Sequence, residues 1–96
     1  MRQILFTAIV ANWRDRVYRN TYCSVRCIRH SDGSITTVTM TACGSERLLL
    51  LEAMQDAGWI SSPDGNLYAY ERENNYPILW VEKWGTKKEC EQNGNP

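Results

Sequence analysis

The sequence contains only one histidine, His30, and this scarcity excludes several kinds of site. Histidine-rich metal centres and His-dependent catalytic triads would have to draw on that single residue. The six glycines are scattered along the chain and form neither a GxGxxG pattern nor a phosphate-binding loop. The sequence also lacks an apolar run of ~18 residues, so it predicts no membrane span. We therefore expect a protein that is not an enzyme and that holds no metal and no cofactor.

The four cysteines form no recognisable disulfide or zinc pattern. Cys23 and Cys27 lie in a predicted strand, where four residues span roughly 13 Å. That separation exceeds the Cα–Cα range of a disulfide, about 4.4–6.8 Å, and the reach of a shared zinc ion. Cys43 can face either residue across strands, and Cys90 falls in a polar segment. We therefore expect all four thiols to be reduced. We also expect a cytoplasmic protein, because the N-terminal apolar run lacks a signal-peptide cleavage site.

The segment SERLLLLEAMQDAG, residues 45–58, predicts the one helix around which the chain is organised. Ser45 is a favourable N-cap, and Gly58 fits a left-handed C-cap. Helical spacing predicts one buried stripe, widened by two further leucines: Leu50, Ala53, Met54 and Ala57, with Leu48 and Leu51. The four consecutive leucines indicate burial on two sides, against a sheet and against either the C-terminal tail or a second chain.

Alternating apolar and polar residues predict three strands before this helix and two after it: Gln3–Asn12, Thr21–Arg29, Ile35–Cys43, Leu67–Tyr70 and Ile78–Trp84. Turn signals lie at Ser31–Ser34 and at Ser61–Asn66. Residues 85–96 form a polar tail that we expect to fray. The sequence thus predicts one α+β domain over residues 1–96. Its antiparallel sheet has the order β-β-β-α-β-β, and a single helix covers one face.

The same alternation assigns the two faces of the second strand. Its inward residues are predicted to be Cys23, Val25 and Cys27, and its outward residues Tyr22, Ser24 and Arg26. The first strand is a candidate sheet edge, which makes a homodimer an alternative to a monomer.

The charges balance overall but are distributed unevenly. Residues 1–30 hold six arginines against one acidic residue, Asp15, whereas residues 31–96 hold five basic residues against ten acidic ones. Such asymmetry indicates a charged partner if it survives at the surface. It cancels instead if the two halves share one sheet, and both interpretations stay open.

A basic and aromatic connector, WRDRVYRN, spans residues 13–20. Arginines supply phosphate contacts, and aromatic rings stack on bases, so the combination is typical of nucleic-acid binding. The candidate nucleic-acid-binding residues are Trp13, Arg14, Arg16, Tyr18, Arg19, Arg26 and Arg29. The alternative is an ordinary exposed connector rich in arginine.

The segment YERENNY, residues 70–76, is predicted to be a loop rich in groups that recognise other molecules. The candidate partner-binding residues are Tyr70, Glu71, Arg72, Glu73, Asn74, Asn75 and Tyr76. Two of these glutamates could form an acid/base pair, but nothing nearby in the sequence supplies a nucleophile or an oxyanion site. The alternative is a solvated loop whose asparagines hold a turn.

Five stretches of the chain resemble small proteins encoded by bacteriophages and prophages: WRDRV at 13–17, NTYCSV at 20–25, RHSDG at 29–33, LEAMQDAGW at 51–59 and YERENNYPILW at 70–80. The resemblance spans most of residues 13–80. In that group a longer aromatic and glycine-containing segment precedes the helix, which Thr41–Gly44 replaces here. Any site built on that segment is reduced in this chain.

The resemblance implies an accessory protein that works in the bacterial cytoplasm by binding a host machine. The leading hypothesis is therefore a non-enzymatic inhibitor that occludes a host defence complex, such as a CRISPR effector. Its acidic half would imitate nucleic acid, or YERENNY would anchor it. The first alternative is a nucleic-acid-binding module that uses the N-terminal arginines. The second is a small-ligand binder, such as a sponge for a nucleotide signal.

Overall fold

The computed structural model describes residues 2–61 and 66–95, which form four strands and three helices. In chain order these are β1 Phe6–Arg14, β2 Thr21–Arg29, β3 Ile35–Ala42, α1 Glu46–Asp56, α2 Leu67–Glu73, β4 Ile78–Trp84 and α3 Lys87–Asn93. The α+β class is confirmed, as are the predicted bounds of β2 and β4. The predicted turn cluster 61–66 falls largely outside the described residues. None of the three helices is long and apolar enough to cross a membrane.

The sheet is mixed, so the prediction of a wholly antiparallel sheet is wrong. Its strand order is β3-β2-β1-β4, with β1 antiparallel to β2 and parallel to β4. Because β3 and β4 run in the same direction, the segment between them must cross the sheet, and α1 and α2 lie on this crossover. β1 is consequently a central strand rather than the edge strand that was predicted. The sheet edges are β3 and β4.

One face of the sheet, here called the first face, carries the hydrophobic core. Its buried side chains are Phe6, Ala8, Val10, Cys23, Val25, Cys27, Val38 and Ile78. From α1, Leu50, Leu51 and Met54 pack on them. The predicted inward residues of β2 are therefore correct.

The ends of α1 differ in how well they follow the prediction. The Ser45 side chain makes no capping bond; instead the Glu46 carboxylate accepts a hydrogen bond from the Gly44 N–H at 2.6 Å. Gly58 has the predicted left-handed conformation, with φ at +74°. Leu48 is 55% exposed, and the C-terminal segment packs on the other face of the sheet, so α1 is not buried between sheet and tail.

Residues 67–73 are helical, so the strand predicted at 67–70 is wrong, and so is the first part of the loop predicted at 70–76. Asn66 caps α2 by accepting a hydrogen bond from the Tyr68 N–H at 2.8 Å. Leu67 and Glu71, one helical turn apart, are the buried residues of α2. The segment between β3 and β4 thus forms two helices, where a helix and the first strand of a hairpin were predicted.

Residues 85–96 were predicted to fray, but α3 forms there and packs on the second face of the sheet. Thr86 and Glu89 form a complete capping box at its start. Cys90 and Asn93 are buried against β1 and β2. Ser24, which was predicted to face solvent, lies beneath this helix and is fully buried.

A polar network attaches α3 to the sheet. The Ser24 hydroxyl donates to the Cys90 carbonyl at 2.5 Å, and the Asn93 amide donates to the Ile9 carbonyl at 3.0 Å and to the Ser24 carbonyl at 3.3 Å. The Arg26 guanidinium donates to the Asn95 carbonyl at 2.7 Å. Both faces of the sheet are therefore covered by helix, the first by α1 and α2 and the second in part by α3.

Candidate functional site

A cleft of about 390 Å³ opens at the end of the sheet where β1 and β4 finish. One wall comes from Trp13, Arg14 and Arg16, and the other from the segment Trp84–Lys87. We call this site the tryptophan cleft. It joins part of the predicted arginine-rich connector to the C-terminal segment, and no pattern in the sequence predicts that these two segments are neighbours.

Parallel pairing explains why these two segments meet. Asn12 lies opposite Trp84 in the ladder, and the Gly85 N–H donates to the Asn12 carbonyl at 2.9 Å. The buried Asn12 side chain adds a hydrogen bond to the Lys83 carbonyl at 3.3 Å. Because the carboxyl ends of parallel strands reach the same edge, both tryptophans arrive at one end of the sheet.

The two indole rings have different surroundings. Trp13 stacks on Tyr22, with ring centroids 5.5 Å apart and ring planes inclined by 22°. Lys87 places its Nζ atom 5.7 Å from the Trp13 ring centroid. Trp84 is 66% exposed, which is unusual for so large an apolar side chain. The cleft therefore offers one ring that is held in place and one that is open.

The cationic groups of the cleft form no ion pair with any residue that the structure describes. Among the described residues the ion pairs are Arg29–Asp32 and Arg47–Glu71, neither of which lies in the cleft. The neighbouring Asp15 carboxylate is engaged by the backbone N–H groups of Val17 and Tyr18. Arg14, Arg16 and Lys87 are therefore not held in ion pairs, and the nearby Glu89 carboxylate is engaged by the Thr86 N–H and hydroxyl.

The predicted nucleic-acid-binding residues separate into two groups. Trp13, Arg14 and Arg16 line the cleft, and Tyr18 and Arg19 are exposed on the hairpin loop next to it. Arg26 instead holds the C-terminal backbone, and Arg29 pairs with Asp32 at 2.6 Å and lies 5.1 Å from the Trp59 ring centroid. Sequence reasoning missed Trp84, Thr86 and Lys87.

The seven residues predicted to bind a partner are not all available at the surface. Glu71 is 6% exposed, and its carboxylate accepts hydrogen bonds from Arg47 Nη1 at 2.9 Å and Trp80 Nε1 at 2.6 Å. Tyr70 packs against the core, where burial raises the pKa of its hydroxyl. The Asn74 amide donates to the Tyr70 carbonyl at the end of α2. Asn74 is nevertheless exposed, as are the remaining members, Arg72, Glu73, Asn75 and Tyr76.

Glu71 is therefore expected to act on stability. Changing Glu71→Ala should lower the free energy of unfolding by about 2 kcal/mol, because Arg47 and the Trp80 N–H lose their shared acceptor. Glu73→Ala, an exposed site on the same helix, should change it by less than about 0.5 kcal/mol. Urea unfolding monitored by tryptophan fluorescence measures both values. Equal effects of the two substitutions would contradict a structural role for Glu71.

All four thiols are free, as predicted. Burial raises the pKa of the Cys23 thiol, and it raises that of Cys27 to about 12, so neither is a reactive thiolate at neutral pH. Cys90 is buried under α3 rather than in a frayed tail, and its thiol donates to the Ala11 carbonyl at 3.3 Å. In residues 2–61 and 66–95, no three His, Cys, Asp or Glu side chains come together to hold a metal ion.

A second surface lies on the part of the second face that α3 leaves open. A row of residues paired across the sheet runs from β4 to β3: Leu79, Thr7, Ile28 and Ile35. The two end residues of this row are exposed, by 44% and 49% respectively, and Val81 beside it is exposed by 41%. We call this surface the apolar row.

The chain matches no protein-family model, no curated protein and no solved structure. Its function is therefore inferred from the geometry of the tryptophan cleft and the apolar row.

Proposed function

We propose that the protein is a non-enzymatic nucleic-acid-binding protein that uses the tryptophan cleft. The observation that carries this proposal is the convergence of Trp13, Arg14 and Arg16 with Trp84 and Lys87 in one concave site. Cations without acidic partners attract phosphates, and exposed aromatic rings stack on bases. This proposal takes up the first alternative of the sequence analysis, with Trp84 and Lys87 in place of Arg26 and Arg29.

A second candidate function is the occlusion of a host defence complex, such as a CRISPR effector, by a phage-encoded protein. The apolar row favours it, because exposed apolar side chains such as Leu79, Val81 and Ile35 on one face of a sheet are typical of protein interaction sites. Exposed Arg72, Glu73 and Tyr76 would then extend the contact from the end of α2. In this role too the protein is not an enzyme and works in the bacterial cytoplasm.

One experiment separates the two candidates. Tagged protein is recovered from bacterial lysate with and without nuclease, and the bound material is analysed by mass spectrometry and by nucleic-acid staining. We expect bound nucleic acid, which nuclease removes together with any accompanying proteins. A host protein complex retained after nuclease treatment, with no bound nucleic acid in the untreated sample, would contradict the cleft proposal and support occlusion.

A further inference from the structure

We infer that the tryptophan cleft takes single-stranded nucleic acid, with a base stacked on Trp84, and that it does so without reading the base sequence. This inference rests on the proposed function and names the ligand class of the same site. It follows from three features: the shape of the cleft, the state of its rings and the groups that line it.

The cleft is concave, and Trp13 and Trp84 are among the residues that line it. A protein that reads a duplex usually inserts a convex element into a groove, where bases present only their edges. The flat faces of bases in a duplex are covered by their neighbours. Rings on the wall of a recess can stack only on bases that are already unstacked, as in a single strand.

Trp84 and Trp13 differ in how accessible their rings are to a stacking base. The Trp84 ring is 66% exposed, so a base can cover it without displacing protein groups. Trp13 is backed by Tyr22 on one side, and Lys87 Nζ approaches it to 5.7 Å. A second base on Trp13 would have to displace this long side chain, whose ammonium group can then meet a phosphate.

The side chains of the cleft carry little information about base identity. Bidentate recognition of bases uses Asn or Gln for adenine and Arg for guanine. Among the described residues, neither Asn nor Gln lines the cleft, and Arg14 and Arg16 are exposed there, where they can contact phosphates. Stacking tolerates every base, so we expect similar affinities for different sequences.

The test is fluorescence anisotropy with four labelled ligands in 50 mM salt: single-stranded 12-mers of dT, dA and mixed-sequence RNA, and a 12-base-pair DNA duplex. We expect the single strands to bind within about threefold of one another and at least tenfold more tightly than the duplex. Changing Trp84→Ala should weaken single-strand binding by about 5- to 150-fold, and Trp84→Phe should restore most of it. Ile35→Ala, an exposed apolar site on the other edge of the sheet, should leave binding unchanged.

The outcomes separate this inference from the proposed function. Duplex binding as tight as single-strand binding, with no effect of Trp84→Ala, would overturn the inference and leave nucleic-acid binding standing. Loss of binding to only one of the three single strands would overturn the absence of base readout. No binding to any of the four ligands at this low salt would overturn the proposed function itself.

Discussion

Removing the positive charges of Arg14, Arg16 and Lys87 together should weaken nucleic-acid binding by about 100-fold. Each of these side chains can neutralise one phosphate and release a condensed counterion. If each contact contributes about 1 kcal/mol, the loss of three corresponds to about 100-fold in affinity. We expect the triple alanine variant also to lose most of the salt dependence of binding, which for three contacts to a single strand has a slope of about −2 in log K against log salt.

The fold should tolerate this triple substitution. All three side chains are exposed. Within the part of the chain that the structure describes, Arg14 donates a hydrogen bond to the Thr21 hydroxyl at 3.2 Å and Lys87 approaches the Trp13 ring. Anisotropy titrations at several salt concentrations measure binding, and circular dichroism checks the fold. Arg72→Ala removes an exposed arginine from α2 and serves as the control. A folded triple variant with unchanged affinity and salt slope would place the binding site elsewhere.

The sequence predicts β2 and β4 well because their alternating pattern is strictly local. In β2, alternate residues are apolar and pack on the first face, and this periodicity gave both of its bounds. By contrast, the pattern of residues in β4 does not indicate whether this strand runs parallel or antiparallel to β1. Parallel and antiparallel neighbours both fit a strand that alternates, and only the crossover through α1 and α2 decides between them.

Helix α3 could not be predicted from the sequence because the buried face of this helix is polar. The Cys90 thiol donates a hydrogen bond to β1, and the Asn93 amide donates one to the Ser24 hydroxyl of β2. That hydroxyl in turn donates to the Cys90 carbonyl. A periodicity of apolar residues is the usual signal of a docked helix, and α3 has none. The capping box at Thr86 and Glu89 was the one local signal available.

The same reason explains why only half of the candidate site was found. The arginines and the tryptophan of the connector are close in sequence and stand out by composition. Trp84 and Lys87 come from a distant segment, and they join the cleft only through the parallel ladder and the docking of α3. The cleft therefore depends on the attachment of a helix that does not itself line most of it.

Changing Gly94→Val tests this dependence and should lower the free energy of unfolding by about 3 kcal/mol. Gly94 follows α3 and lies against the sheet, where an added Cβ would be 2.7 Å from the Val38 carbonyl oxygen, 2.9 Å from the Ser24 Cβ and 3.1 Å from the Thr39 Cα. Two of these atoms belong to the backbone of β3 and cannot move aside. Overpacking of this kind costs about 1–3 kcal/mol, and loss of the buried hydrogen bonds of Asn93 adds to it.

The prediction links stability to binding, because undocking α3 also displaces Lys87 from the cleft. Urea unfolding gives the change in stability, and anisotropy in the absence of urea should show weaker binding of the dT 12-mer by the folded fraction. Asn95→Ala is the matched control, since its contact with Arg26 uses the backbone carbonyl, which alanine retains. A Gly94→Val protein with nearly unchanged stability would show that α3 is not held against the sheet, and the C-terminal wall of the cleft would then lack its support.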